Sequence, residues 1–181
     1  MGWGRERRSS DLDYPKRIGA ISRTKNMHAV RPATLEDLMV VASWIRTPDE
    51  CERWGGTQVP FPIDRVALPD TIGFTEQNAY VMIVGGSLIA FGQIFDKPQH
   101  RQHLAKFIVS PIHRGRGYGR KFLYDLLGRT TVDRVSLNVN QDNSAAIALY
   151  AAAGFVVADR PPDQGASPRT RYMERKRNDA Q

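Results

Sequence analysis

The run Arg114-Gly115-Arg116-Gly117-Tyr118-Gly119 follows the strand-like segment Leu104 to Val109 and leads into an amphipathic stretch of helical period. Glycines at alternate positions let successive backbone N–H groups crowd toward one point, and the helix behind them adds its partial positive end, so the loop suits an anion such as a pyrophosphate. The same spacing also occurs in plain strand-to-helix turns and in arginine-glycine segments that touch RNA. Further along, Asn143 and Tyr150 lie two helical turns apart on one face of an alanine-rich segment. A phenol of pKa about 10 stays protonated at neutral pH and can donate a proton. Packing offers a second role for each: Tyr150 as a buried ring with its hydroxyl on a carbonyl, Asn143 as a helix cap.

Proton removal has several candidates. His100 and His103 stand just ahead of the Leu104 strand and could accept a proton directly or through water. Their spacing also permits half a metal site, but no third ligand stands near and no metal is expected. Glu50 and Glu52 are further possible bases. Trp44, Trp54 and Phe61 could line a pocket or simply pack. Cys51 has no neighbouring histidine to activate it and reads as a small apolar filler.

The elements that must position these groups fit one domain. The chain of 181 residues can bury a single good core, and its one cysteine provides neither a disulfide nor a metal framework. No apolar run is long enough to cross a bilayer and no secretory core segment is visible, so a cytoplasmic location without membrane contact is expected. The formal charge of +7 is unevenly placed: residues 1–26 carry a net +4, residues 159–181 a net +2, and the remainder +1. A nucleic-acid surface on the domain is therefore not expected, although a basic arm could contact phosphate polymers.

Residues 1–26 lack apolar periodicity and read as a disordered basic leader, with Met27 as an alternative start; residues 27–177 form the expected domain and 178–181 a tail. A short strand over 28–31 precedes a helix capped by Thr34, with Glu36 and Asp37 in its first turn, running to about Trp44. Pro48 starts a second helix toward Trp54. The Pro-rich stretch 55–78, with a short helix near 63–68, reads as a functional loop and an acceptor-side wall. Strands follow over 80–84 and 88–95, joined by Gly85-Gly86, and over 104–109. Tyr118, Phe122, Leu123, Leu126 and Leu127 give the next helix one apolar face. A strand over 135–139, a helix over 143–153 stopped by Gly154, and strands over 155–158 and 170–175 complete the order βααβββαβαββ. The result is α+β: a mixed, mostly antiparallel central sheet with helices on both faces.

The strand ending Val109-Ser110-Pro111, the loop Arg114-x-x-Gly117-x-Gly119, and the run Asn143 to Tyr150 closing with Ala153-Gly154-Phe155 resemble, in order and separation, the GNAT superfamily of acyl-CoA-dependent N-acyltransferases. The resemblance covers Leu104 to Val157, with a weaker extension at Arg31 to Asp37. It implies acetyl-CoA as cosubstrate, with its pyrophosphate on the N–H groups of Arg114, Gly115, Arg116, Gly117, Tyr118 and Gly119. It further implies a pantetheine arm along Phe107, Ile108 and Val109, with the Val109 N–H on the acyl oxygen. Arg116, Arg120 and Lys121 would meet phosphates, or Arg120 and Lys121 belong to a solvated helix face. Tyr150 would protonate the leaving thiolate, and Asn143 would hold the neighbouring polar network. Enzymes of this kind often carry a glutamate on the strand before the loop, but no carboxylate occurs from Lys97 to His113. The base is therefore left open among His100, His103, Glu50 and Glu52, with His103 set beside Tyr150 and Asn143 as a candidate catalytic residue. The implied acceptor is a small-molecule or peptide amine, and a homodimer is left open. The alternative is a non-catalytic acyl-CoA-binding module whose basic tail contacts nucleic acid or a protein.

Overall fold

The computed structural model describes Met1 and residues 28–164 and 168–177. The rest of the expected leader, Met27 and the tail 178–181 lie outside the described residues. One sheet runs β1-β2-β3-β4-β5-β7-β6. Its strands are β1 (His28–Pro32), β2 (Ala79–Val84), β3 (Ser87–Lys97), β4 (Arg101–Val109), β5 (Arg134–Asn140), β6 (Val156–Val157) and β7 (Thr170–Lys176). Every neighbouring pair is antiparallel except β4 and β5. The helices are α1 (Leu35–Ala42), α2 (Pro48–Gly55), α3 (Leu68–Thr71), α4 (Tyr118–Leu127) and α5 (Ser144–Ala152). The mixed α+β architecture is the one the sequence implies. None of these helices is long and apolar enough to cross a membrane.

Local chemistry explains the helix entries. Thr34 and Asp37 close a reciprocal capping box, and Arg31 reaches the Asp37 carboxylate at 2.6 Å. Burial alone would raise the Asp37 carboxyl, but the Arg31 guanidinium and the Thr34 donors outweigh it and hold the group below its usual range. Several boundaries differ from those expected. Helix α1 ends at Ala42 because Ser43, Trp44 and Ile45 bond back three residues instead of four. The short helix expected near 63–68 starts at Leu68, since Asp64 first ties the N–H groups of Val66 and Ala67 into a turn. The strand expected over 155–158 is reduced to Val156–Val157 at the sheet edge.

The two faces of the sheet are covered differently. On one, α4 and α5 bury Phe122, Leu123, Leu126 and Tyr150 against Ile94, Leu104, Val135, Leu137 and Met173. Each large side chain so buried contributes about 1.5–3 kcal/mol. On the other, α1 to α3 place Leu38, Val41, Trp54 and Leu68 over Val81, Phe91 and Ile108. That second cover stops at β4. Alternation along the strands then places Lys97, Arg101, His103, Ser136, Asn138, Tyr172 and Glu174 on a polar face across β3, β4, β5 and β7, where Asp163 caps Arg101 and most of these side chains are buried.

Candidate active site

Strands β4 and β5 pair only from Arg101 with Arg134 to Leu104 with Leu137, after which they part. The cause lies in β4 itself. Ala105 pairs with Gln93 and Ile108 with Phe91, so Gly92 faces both Lys106 and Phe107, and Lys106 takes a left-handed φ of 52°. This β-bulge bends the strand away from its parallel neighbour. Lys106 is anchored there: its carbonyl accepts from Trp54 Nε1 at 2.8 Å and its Nζ donates to the Gly55 carbonyl at 2.5 Å. Burial pushes the Lys106 ammonium down to about 8. Burial also raises the nearby Cys51 thiol, which suits the filler role.

Beyond the bulge, Ser110 N–H bonds to the Ile89 carbonyl and Ile108 pairs with Phe91. By alternation, the polar groups of Phe107 and Val109 turn away from β3 and into the gap. Ile108 also borders the gap, but its backbone faces β3 and its side chain enters the second core. A cavity of about 1100 Å³ follows the gap. It extends from Arg114 and Gly115, past Asn143, Leu149 and Tyr150, to His103 and Asn138 on the polar face.

Gly115 and Gly117 adopt φ of 73° and 80°, and a Cβ at either would meet nothing within 4 Å. Conformation, not crowding, selects glycine here, and the space in front of the loop is open. Among the described residues, the N–H groups of Arg114 through Arg120 make no backbone hydrogen bond. They form a run of unsatisfied donors at the start of α4. Gly119 lies inside α4 against Val109 and Leu149. The Arg114 Nε donates to the Val109 carbonyl at 3.2 Å, Arg120 lies over the Tyr124 ring, and Tyr118 packs against His113. Arg116 to Arg120 flank the cavity and do not line it.

Tyr150 is buried, with its ring edge-on to Phe107 at 6.2 Å and to Phe155 at 6.0 Å. Its hydroxyl has no hydrogen-bond partner among the described residues, and burial raises its pKa further above the ordinary phenol value. Asn143 is the N-cap of α5, its Oδ1 accepting from Ala146 N–H at 3.1 Å. Both residues line the cavity, as their spacing implies.

His103 is not in a loop ahead of the strand; β4 begins at Arg101, and His103 is buried within it. Its Nδ1 lies 2.9 Å from Ser136 Oγ, and that hydroxyl donates to the Gln102 carbonyl. The network therefore places the ring hydrogen on Nδ1 and leaves the Nε2 lone pair facing Asn138 Nδ2 at 3.5 Å. Burial first, then the charges of Lys97, Arg101 and Arg160, push its pKa down to about 3. At neutral pH this imidazole is an uncharged acceptor of hydrogen bonds. His100 is exposed in the β3–β4 turn and does not line the cavity, nor does Phe61. Trp44 and Trp54 do line it.

Sequence reasoning missed the network beneath His103. Arg101 donates to both Asp163 oxygens at 2.8 Å and to Tyr172 Oη at 3.0 Å, while Glu174 accepts from Arg134. Its members are scattered over three strands and a loop, so no local spacing signals it. The lining carboxylates differ in their partners. Glu52 is held by Arg169 and Asp163 by Arg101, whereas Glu50 accepts the Arg46 backbone N–H and has no ion pair among the described residues.

The family model for the acetyltransferase (GNAT) family matches residues 41–155. Among curated relatives, the N-alpha-acetyltransferase RimI of Mycobacterium tuberculosis is 36% identical over 74 residues, 39% of this chain and 47% of that protein. An uncharacterized protein of Mycobacterium leprae is 27% identical over 90% of this chain and 52% of its own length. The chain thus spans about half the length of these two relatives. Among solved structures, the ribosomal-protein-S18-alanine N-acetyltransferase of Escherichia coli superimposes with a TM-score of 0.62 at 21% identity, covering 86% of this chain and 97% of that one. The spermidine N-acetyltransferase of Vibrio cholerae, in complex with CoA and spermine, gives 0.65 at 16% identity over 83% and 95%. These likenesses share the fold, and the family match runs from α1 through the glycine loop to the end of α5. The chain belongs to the acetyltransferase (GNAT) family.

Proposed function

We propose that this protein is an N-acyltransferase that moves an acetyl group from acetyl-CoA to a primary amine by direct attack. The observation that carries this reading is the run of unsatisfied N–H groups from Arg114 to Arg120 at the mouth of the gap where β4 leaves β5. Those donors and the α4 N-terminus would hold the pyrophosphate. The inward-facing groups of Phe107 and Val109 would pair with the pantetheine arm as an extra strand would, and the Val109 N–H would polarise the acyl carbonyl. The cosubstrate supplies the thioester.

The amine nitrogen bonds to the acyl carbon as the carbon–sulfur bond breaks, and the Tyr150 hydroxyl gives its proton to the departing sulfur. Asn143 holds the start of α5, and so positions Tyr150 two turns later. The proton from the amine passes to solvent at Glu50, the lining carboxylate without an ion pair among the described residues. His103, neutral at working pH, orients the acceptor through Nε2 and stores no proton.

Calorimetry with CoA and acetyl-CoA, followed by thiol release over a panel of amines, tests the reading. Binding with turnover is the expected result, and absence of binding overturns it. Binding without turnover on any amine would favour a non-catalytic acyl-CoA-binding module.

A further inference from the structure

Trp54, in the last turn of α2, carries a group that its packing does not need. Its buried ring belongs to the second core and tilts against Phe91 with 6.3 Å between centroids, a contact that a plain aromatic ring could also make. The indole adds one donor, and Nε1 uses it on the Lys106 carbonyl at 2.8 Å. Lys106 answers through its side chain, since its Nζ donates to the Gly55 carbonyl at the end of α2. Helix and bulge are thus joined twice, once in each direction.

The accepting carbonyl is one that the ladder gives up. Ala105 pairs with Gln93 and Ile108 with Phe91, so the peptide between Lys106 and Phe107 stands opposite the single Gly92, out of register with β3. A backbone carbonyl that leaves a ladder needs another partner, and the indole provides it. The Lys106–Phe107 peptide is trans, so its carbonyl and its N–H point in opposite directions. A carbonyl drawn toward α2 therefore turns the Phe107 N–H away from α2. The Phe107 ring is held independently, stacked on Phe122 at 5.5 Å and edge-on to Tyr150 at 6.2 Å. Lys106 itself sits at a left-handed φ of 52°, which only glycine takes freely, so the contacts with α2 are what keep the peptide in this orientation. Donation to the carbonyl also polarises the peptide and makes its N–H a stronger donor.

Resting on the acyl-transfer reading above, we propose that Trp54 is a positioning residue: its indole N–H fixes the bulge peptide so that the Phe107 N–H faces the gap and donates to the arm of the coenzyme. Trp54 acts through the backbone and has no part in the proton transfers. Loss of its donor frees the peptide to rotate, which takes the Phe107 N–H out of the gap and leaves the N–H groups of the glycine loop as they were.

Calorimetry on the full chain should compare CoA and acetyl-CoA with an ADP that carries the ribose phosphate of CoA but no arm. In Trp54→Phe the two coenzymes are expected to bind about fivefold more weakly, while the armless nucleotide stays within about twofold of wild type. A general loosening of the fold would weaken all three alike, so an equal loss, or no loss for any ligand, overturns the proposal. Benzothienylalanine installed at position 54 keeps the bicyclic shape and replaces only the N–H, and it should give the same pattern even if Trp54→Phe folds poorly. A second readout lies in the free protein. In the benzothienylalanine variant the Phe107 amide nitrogen should shift in the NMR spectrum more than those of Ala105 and Ile108, although none of the three touches the replaced atom; an unmoved Phe107 resonance contradicts the coupling. If neither CoA nor the armless nucleotide binds the wild type, the acyl-transfer reading fails, and the NMR comparison judges the orientation of the peptide separately.

Discussion

Tyr150 and His103 line one cavity, and burial drives them in opposite directions on the proton scale. The phenol keeps its proton throughout the neutral range, which is the state a general acid needs. Tyr150→Phe removes the proton source but preserves the ring contacts with Phe107 and Phe155. Turnover is expected to fall on the order of 10²-fold, while calorimetry gives an unchanged CoA affinity; wild-type turnover in this variant would remove the assigned role. His103 is held neutral, and its titration leaves a mark on stability. The unfolded imidazole has a pKa of about 6.5 and the folded one about 3, so between those limits the unfolded chain binds more protons and stability falls as pH falls. Melting curves from pH 7 to 4 should show a steeper loss for the wild type than for His103→Asn. Parallel curves for the two proteins would contradict the buried neutral state.

Strand β4 is the element on which the site depends, and its bulge depends on packing from the other side. A Cβ on Gly92 would lie 2.9 Å from Leu126 Cδ1 and 3.3 Å from Phe122 Cε1. Gly92→Ala should therefore push α4 off the sheet at the point where β4 bends. The expected loss is about 1–3 kcal/mol, read by chemical denaturation, and an unaltered midpoint would show that α4 yields freely. This device was only half legible in the sequence. A lone glycine inside a strand marks a bulge or a close approach, but nothing local to Lys106 announces its left-handed backbone. The glycine loop, the capped start of α1 and the cavity-facing pair Asn143 and Tyr150 were legible because each is set by residues within about two helical turns. The early start of β4, and with it the burial of His103, was not. It follows from pairing with the far end of β3 and with β5, which sequence period does not encode. The ion-pair network from Asp163 through Arg101 to Tyr172 was hidden for the same reason.

At the scale of the whole molecule, the gap divides the sheet into one part carrying β1 to β4 and α1 to α3, and another carrying β5 to β7 and α5. The parts are joined by the short β4–β5 ladder, by the core that α4 and α5 bury against both, by the His103–Ser136 hydrogen bond and the Tyr150–Phe107 ring contact, by the buried Arg101 contacts to Asp163 and Tyr172, and by two exposed ion pairs from α2, Arg53 with Asp142 and Glu52 with Arg169. The exposed pairs are screened by solvent and hold the parts together only weakly. A ligand that binds only the folded chain raises the melting temperature with its concentration, by about 2.7 kcal/mol of added stability at a hundred times Kd. CoA is expected to raise the melting temperature in this concentration-dependent way, and a flat response across a wide concentration range would argue against the gap as its seat.

The parting of β4 from β5 also leaves the backbone of Phe107 and Val109 without a neighbouring strand, so their amides have no cross-strand shield on that side. A wedge driven between the two blades would act as a splint: deuterium uptake at Phe107 and Val109 should slow together with that of Asn138 to Asn140, although these segments are not paired with each other. The vacant rung of the ladder would thus make the coenzyme a structural member of the protein for as long as it stays.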